Sequence, residues 1–198
     1  GHSRPFHVRT ALSITTVLFV MTGCGELAEE LKTPVPAESG RVANQLEPDG
    51  STRSTVNASE QAAWVYFRLA TGAEAKPADP QKSPDWDLAF QRFQVKVNGG
   101  ISGTGAVEVA VISDLSYGAI GKAPSAGYIT DQADSADEDP DPDHAFAKLG
   151  PWYDYNVMTH ILTPKAQVYA VRGSDGKFYK LQFAGYYDPA GSAGYPTF

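Results

Sequence analysis

The chain has 198 residues, a formal net charge of −7, 42% hydrophobic and 11% aromatic content. The acidic balance argues against nucleic acid as a partner, because phosphate binding needs a basic face that releases counterions. One cysteine, Cys24, leaves no intrachain disulfide and no thiolate zinc site to hold a fold, while the apolar content is enough for one cored domain.

Cys24 closes an apolar run. Arg4 and Arg9 flank Ala11 to Met21, and Met21-Thr22-Gly23-Cys24 follows. A basic start, an apolar stretch shorter than a membrane span and small residues before the cut describe an export signal of the lipoprotein type over residues 1–23. Cys24 is then the lipidated residue, and acyl chains contribute about 0.8 kcal/mol per buried CH₂ to anchoring. A lipid anchor to the bacterial cell envelope, at the outer membrane, is the expected location. Because the chain opens on Gly1 and not Met, its start is expected to be incomplete or altered.

Residues 24–61 are rich in Glu, Pro, Ala, Ser, Thr and Asn and poor in aromatics. Such a segment buries too little apolar surface to offset the entropy of ordering it, so a flexible linker is expected. Residues 62–198 carry the folded domain. Ala63 to Leu69 is rich in aromatic and β-branched residues and ends at Thr71-Gly72, a strand and its turn. Trp86 to Val97 is a longer strand with apolar residues at even positions up to Phe90 and odd positions from Phe93. That slip calls for a β-bulge or bend near Gln91-Arg92. Asn98-Gly99-Gly100 ends it.

Further strands are expected over Ala106–Ile112, Tyr153–Leu162, Gln167–Arg172 and Lys177–Tyr187, with an Asp175-Gly176 hairpin between the last two. Short strands with Gly-rich turns give an all-β fold, an antiparallel sandwich or a barrel-like domain. The stretch Ser116 to Gly150 is too long for a routine turn.

Several of these segments together resemble a family. Trp64-x-Tyr66-Phe67, Ser83-x-Asp85-Trp86-Asp87-Leu88-Ala89-Phe90, Asn98-Gly99-Gly100, Lys177 to Phe183 and Tyr186-Tyr187-Asp188-Pro189-Ala190-Gly191 resemble the HmuY-like haem-binding lipoproteins over the whole domain. The resemblance implies a membrane-anchored, haemophore-like protein that holds haem iron between axial His or Met side chains for iron acquisition. It also implies haem or haem-carrying proteins and an outer-membrane receptor as partners.

A low-spin haem needs two nitrogen or sulfur donors on opposite faces and an apolar slot. His2, His7 and Met21 leave with the signal, so the mature chain keeps His144, Met158 and His160. In an extended Tyr155–Leu162, Met158 and His160 share one face about 7 Å apart, too close to grip one iron from both sides. His160 is therefore the preferred donor, with His144 in the long loop as its partner and Met158 as the substitute. Each histidine also has an ordinary reading, His160 as a hydrogen-bonded strand residue and His144 as a solvated loop residue.

The run Asp137 to Asp143 invites calcium. Counting from Asp139, however, position 6 is His144 rather than Gly and position 12 is Gly150 rather than Glu, so a solvated loop or flap is the better reading. No thiol nucleophile, Gly-x-Ser-x-Gly elbow, phosphate loop or paired-His helix marks an enzyme. Trp64, Tyr66, Trp86 and Phe90 alternate as core residues should, whereas Trp152, Tyr153 and Tyr155, beside the long loop, are better placed to line a pocket, with core packing the commoner fate of such residues. The rival to haem binding is an envelope adhesion or interaction module on the same fold, with a hydrolase of surface polymers third. An apolar cleft beside His160 with a facing donor favours haem; His160 alone on an exposed face favours the rival.

Overall fold

The structure, a computed structural model, describes residues 33–113 and 115–198. The export signal with His2, His7 and Met21, the lipidation residue Cys24 and the linker up to residue 32 lie outside the described residues.

Strands begin earlier than composition suggests. Within the segment expected to be linker, β1 (Val42–Leu46) and β2 (Thr52–Val56) pair antiparallel, with Val42 opposite Val56. Pro48-Asp49-Gly50 makes the turn: Gly50 sits at φ +86°, and the Glu47 amide donates to the Ser51 carbonyl at 2.8 Å. Averaged composition hid this hairpin because β2 gains its stability far along the chain. Thr55 pairs with Thr197, their hydroxyls 2.9 Å apart, and Val56 and Ala58 are fully buried.

β3 (Val65–Arg68) and β4 (Ala73–Ala75) meet at the expected Thr71-Gly72 turn, with Gly72 at φ +63°. The long strand expected over Trp86–Val97 is instead two strands, β5 (Leu88–Gln91) and β6 (Gln94–Val97). The parity slip at Gln91-Arg92 marks a two-residue hairpin turn, Arg92-Phe93, and not a bulge. Arg92 adopts φ 54°, a conformation that costs a non-glycine residue about 1–2 kcal/mol. Its amide donates to the Ala58 carbonyl at 2.8 Å, and its guanidinium donates to the carbonyls of Ser59 and Ala193 at 3.1 and 3.2 Å.

β7 (Glu108–Ile112) follows, then β8 (Tyr153–Asn156), β9 (Ile161–Pro164), β10 (Val168–Arg172) and β11 (Phe178–Gln182). The expected single strand Lys177–Tyr187 breaks after β11. Its second part, β12 (Gly185–Tyr187), joins a different sheet beside β13 (Ala193–Thr197). The switch falls at Ala184, whose amide donates to the Thr197 carbonyl at 2.7 Å.

The sheets run β1-β2-β13-β12, β4-β3-β5-β6 and β11-β10-β7, with β8-β9 a separate two-stranded ribbon. Every named pairing is antiparallel, and the layers stack as in a sandwich rather than closing into a barrel. Val56 and Tyr186 of the first sheet, Phe67, Phe90 and Val97 of the second and Val109, Tyr169, Val171 and Leu181 of the third meet in one core with Phe183. Each such side chain contributes roughly 1.5–3 kcal/mol by burial. Phe198 stacks on Phe90 at 5.2 Å between ring centres. Buried Asp87 ties two turns together, accepting the Leu69 and Ser174 amides at 2.7 Å each.

The stretch Ser116–Gly150 is pinned at several points. Ile129 bridges to Val109, Gln132 bridges to Asp143, and one short helix, α1 (Ala145–Lys148), packs Phe146 into the core. Lys180 donates to the carbonyls of Tyr117 and Ile120 at 2.8 and 3.1 Å. No helix among the described residues is long and apolar enough to cross a membrane.

Candidate functional site

Met158 and His160 occupy the tip of the β8–β9 ribbon. The expected extended run Tyr155–Leu162 folds back on itself at Val157–His160, a four-residue turn. Asn156 is the cause. Its side-chain oxygen accepts the amides of Met158 and Thr159 at 2.9 and 3.1 Å, a local bond that Asn offers in place of a strand ladder. Its carbonyl accepts the His160 amide at 2.8 Å, and His160 closes the turn at φ 57°. The expected strand geometry, with i and i+2 side chains on one face, therefore does not apply; the turn instead presents both residues at one apex.

That apex is open to solvent and apolar. Met158 is 85% exposed, and Tyr155, Val157 and Ile161 are exposed beside it. The His160 Nδ1 lies 2.6 Å from the Tyr155 hydroxyl. At its base the ribbon is held firmly: the Leu162 amide donates to the Tyr187 hydroxyl at 3.0 Å, and the Trp152 indole donates to the Phe93 carbonyl at 2.9 Å. Trp152 stacks on Phe183 at 4.3 Å inside the core, Tyr153 lies half-buried with its edge toward Phe93, and Tyr155 is exposed. Of the three expected pocket residues, Trp152 is thus a core residue.

His144 has a different environment. It precedes α1, its side chain is 13% exposed, and its Nδ1 lies 3.3 Å from the Asp131 carboxylate. Asp131 is buried and also accepts the amides of Val97 and Ala145 at 3.1 and 2.7 Å. The Trp64 ring meets the imidazole edge-on, and the Lys96 ammonium sits 4.4 Å over the Trp64 ring. Burial holds the Lys96 pKa below its ordinary value, with the Asp131 charge opposing the shift. Trp64 and Tyr66 are half-buried on this face, while Trp86 and Phe90 are core as expected.

Among the described residues, His144 and His160 share no hydrogen-bond or ring partner: Asp131 and Trp64 meet one, Tyr155 the other. Among the described residues, no three His, Cys, Asp or Glu side chains form a cage that could hold a metal ion. In the acidic run, Asp137 and Asp139 accept the amides of Asp139 and Asp141, so these carboxylates cap their own loop. A separate depression of about 620 Å³ lies between the β3–β4 turn and residues 76–85. Its walls carry Arg68 paired with Asp85, Lys76 with Glu74 and Lys82 with Asp79, and none of the candidate donors.

Sequence reading missed Asp131, Lys96 and Phe93 as neighbours of the candidates. Only folding brings residues so far apart together, and no local spacing signals it.

A family model described as HmuY protein matches residues 60–198. No curated protein matches the sequence. Among solved structures, the chain is similar to the apo form of a Tannerella forsythia HmuY analogue, with a TM-score of 0.56 at 16% identity, covering 79% of this chain and 93% of that one. It is similar to a protein of Bacteroides vulgatus described as a HmuY-like haem-binding candidate, with a TM-score of 0.52 at 17% identity, covering 84% and 94%. A Bacteroides fragilis protein described as a candidate lipoprotein gives a TM-score of 0.52 at 20% identity over 83% and 91%. At these identities the structural likeness speaks for the fold.

Proposed function

The chain belongs to the HmuY family, and on that premise we propose that its β domain is a haem-binding module and not an enzyme. The supporting observation is the ribbon apex, where an imidazole and a thioether stand exposed among Tyr155, Val157 and Ile161. The donor set fits the group: haem iron takes His nitrogen and Met sulfur, and apolar side chains suit the porphyrin faces. When bound, haem would supply the iron centre. His160 would hold the iron through a ring nitrogen, with Met158 as the alternative sulfur donor.

His144 is the second donor of this proposal. An ionised Asp131 can only accept, so a hydrogen bond between them puts the proton on Nδ1 and leaves the Nε2 lone pair for a metal. On the family's pattern, residues 1–23 direct export, Cys24 carries the lipid at the outer membrane, and haem passes to a surface receptor for uptake.

A second reading has its own support. His160 stands on an exposed face, and among the described residues its ring meets the Tyr155 side chain. An exposed apolar apex also suits an envelope adhesion or interaction module that binds a protein surface.

Titration of the chain with ferric haem, followed at the Soret band, separates the two. A saturable one-to-one spectrum with low-spin bands that weakens in His160→Ala and in His144→Ala supports haem capture through both residues. A spectrum no different from free haem rejects it and leaves the interaction module. Mass spectrometry of the membrane-extracted chain tests the anchor: an acyl mass on Cys24, absent in Cys24→Ala, is expected, and an unmodified thiol overturns it.

A further inference from the structure

We propose that Tyr155 is the positioning residue for His160, holding the ring through Nδ1 so that Nε2 is the atom offered to iron; this rests on the haem reading above. The phenol oxygen and Nδ1 are 2.6 Å apart, a short contact between side chains five residues apart across the ribbon apex. Tyr155 stands on β8 opposite Leu162 of β9, so its ring starts from a paired strand and not from a free loop.

The backbone of the apex is fixed separately. Asn156 accepts three amides, from Met158, Thr159 and His160, and His160 takes the left-handed conformation that His tolerates better than bulky residues do. Backbone bonds set where the imidazole begins, and the phenol sets how it is turned. Among the described residues, the Tyr155 hydroxyl is the hydrogen-bond partner of this ring.

A neutral imidazole carries one proton, and the occupied nitrogen decides which atom is left for a metal. With iron on Nε2, the proton resides on Nδ1 and is donated to the phenol oxygen, whose own proton turns to solvent. No bond to carbon changes and no net proton is lost. Metal-binding histidines commonly hold their second nitrogen this way, and losing the outer partner weakens metal binding by roughly 10–100-fold.

The test uses the full chain as wild type, Tyr155→Phe, His160→Ala and the double variant. Without haem, ring ¹⁵N NMR of labelled histidine should show the His160 Nδ1 resonance displaced between wild type and Tyr155→Phe; identical ring shifts overturn the pairing. With ferric haem, Tyr155→Phe should weaken binding by roughly tenfold or more and raise the reduction potential, with no further effect in the His160→Ala background. If His160→Ala abolishes binding while Tyr155→Phe matches wild type in affinity and potential, the positioning role is wrong and the haem reading stands. If His160→Ala binds haem as wild type does, the haem reading at this residue falls and the proposal falls with it.

Discussion

The Asn98 carboxamide donates to the Trp86 carbonyl at 2.8 Å and, from the same nitrogen, to the Ser83 carbonyl at 2.9 Å, while its oxygen accepts the Gly105 amide at 3.0 Å. Asn98 is fully buried. Two of the segments that carry the family resemblance, Ser83 to Phe90 and Asn98-Gly99-Gly100, are therefore one structural joint. The glycines leave it room. A Cβ at Gly103 would collide with the Asn98 side-chain oxygen, and one at Gly100, itself at φ +60°, would collide with the Asp131 carbonyl.

Asn98→Ala removes both donors and the acceptor and leaves three backbone groups without partners. The Trp86 and Gly105 contacts are buried, and each buried orphan costs about 1–3 kcal/mol, so a loss of about 2 kcal/mol or more is expected. Asn98→Asp should be worse, because a carboxylate would face two carbonyl oxygens it cannot donate to. Urea unfolding followed by tryptophan fluorescence measures both, and an Asp variant as stable as wild type would refute this account of the joint.

This joint explains what sequence could reveal. Segments whose order follows from neighbouring residues were legible: the Thr71-Gly72 turn, the Asp175-Gly176 hairpin and the all-β class. Two kinds of feature were not. β2 forms because Thr55 meets Thr197 across the whole domain, which no local composition reports. Arg92-Phe93 reads as a bulge because a two-residue turn shifts parity by the same single step, and the choice is made by the distant carbonyls of Ser59 and Ala193. At the candidate site, the residue types were visible, but Asn156 turned the strand at Met158 and so changed the geometry expected of them.

Arg92 offers a direct test of that turn. Arg92→Gly relieves the left-handed conformation while losing the guanidinium bonds, whereas Arg92→Ala loses the bonds and keeps the strain. The Gly variant should therefore be more stable than the Ala variant by about 1 kcal/mol. Thermal unfolding of the pair decides it, and the reverse order would argue against a strained turn.

Asp131 anchors the end of the long loop to β6 and α1. Asp131→Ala strands the amides of Val97 and Ala145 and removes the contact to His144, at a cost of roughly 2–5 kcal/mol if both amides stay dry. The Gln132–Asp143 bridge should loosen with it. Limited proteolysis should then cut the segment 133–142 faster than in wild type at equal fractions folded, and an unchanged cleavage rate would show that the bridge holds by itself.

Acid should open the same segment through a different group. Asp143 lies 2.9 Å from the Lys148 ammonium, and that bond holds its carboxyl below the usual aspartate value of 3.8. A carboxylate whose pKa is lowered in the folded state contributes stability that is fully present above the unfolded value and is lost as pH falls through the folded one. Between pH 7 and 5 this pair should leave stability unchanged. Below about pH 4 its contribution should fade, and α1 should lose its tie to the loop. Lys148→Met removes the largest cause of the shift, so the variant should be less stable than wild type at pH 7 and should lose less on acidification. Hydrogen exchange at the Gln132 amide, which donates to the Asp143 carbonyl at 3.0 Å, reads the same event locally. Its protection should fall with pH more steeply in wild type than in Lys148→Met, and parallel pH profiles would place the acid sensitivity in another group.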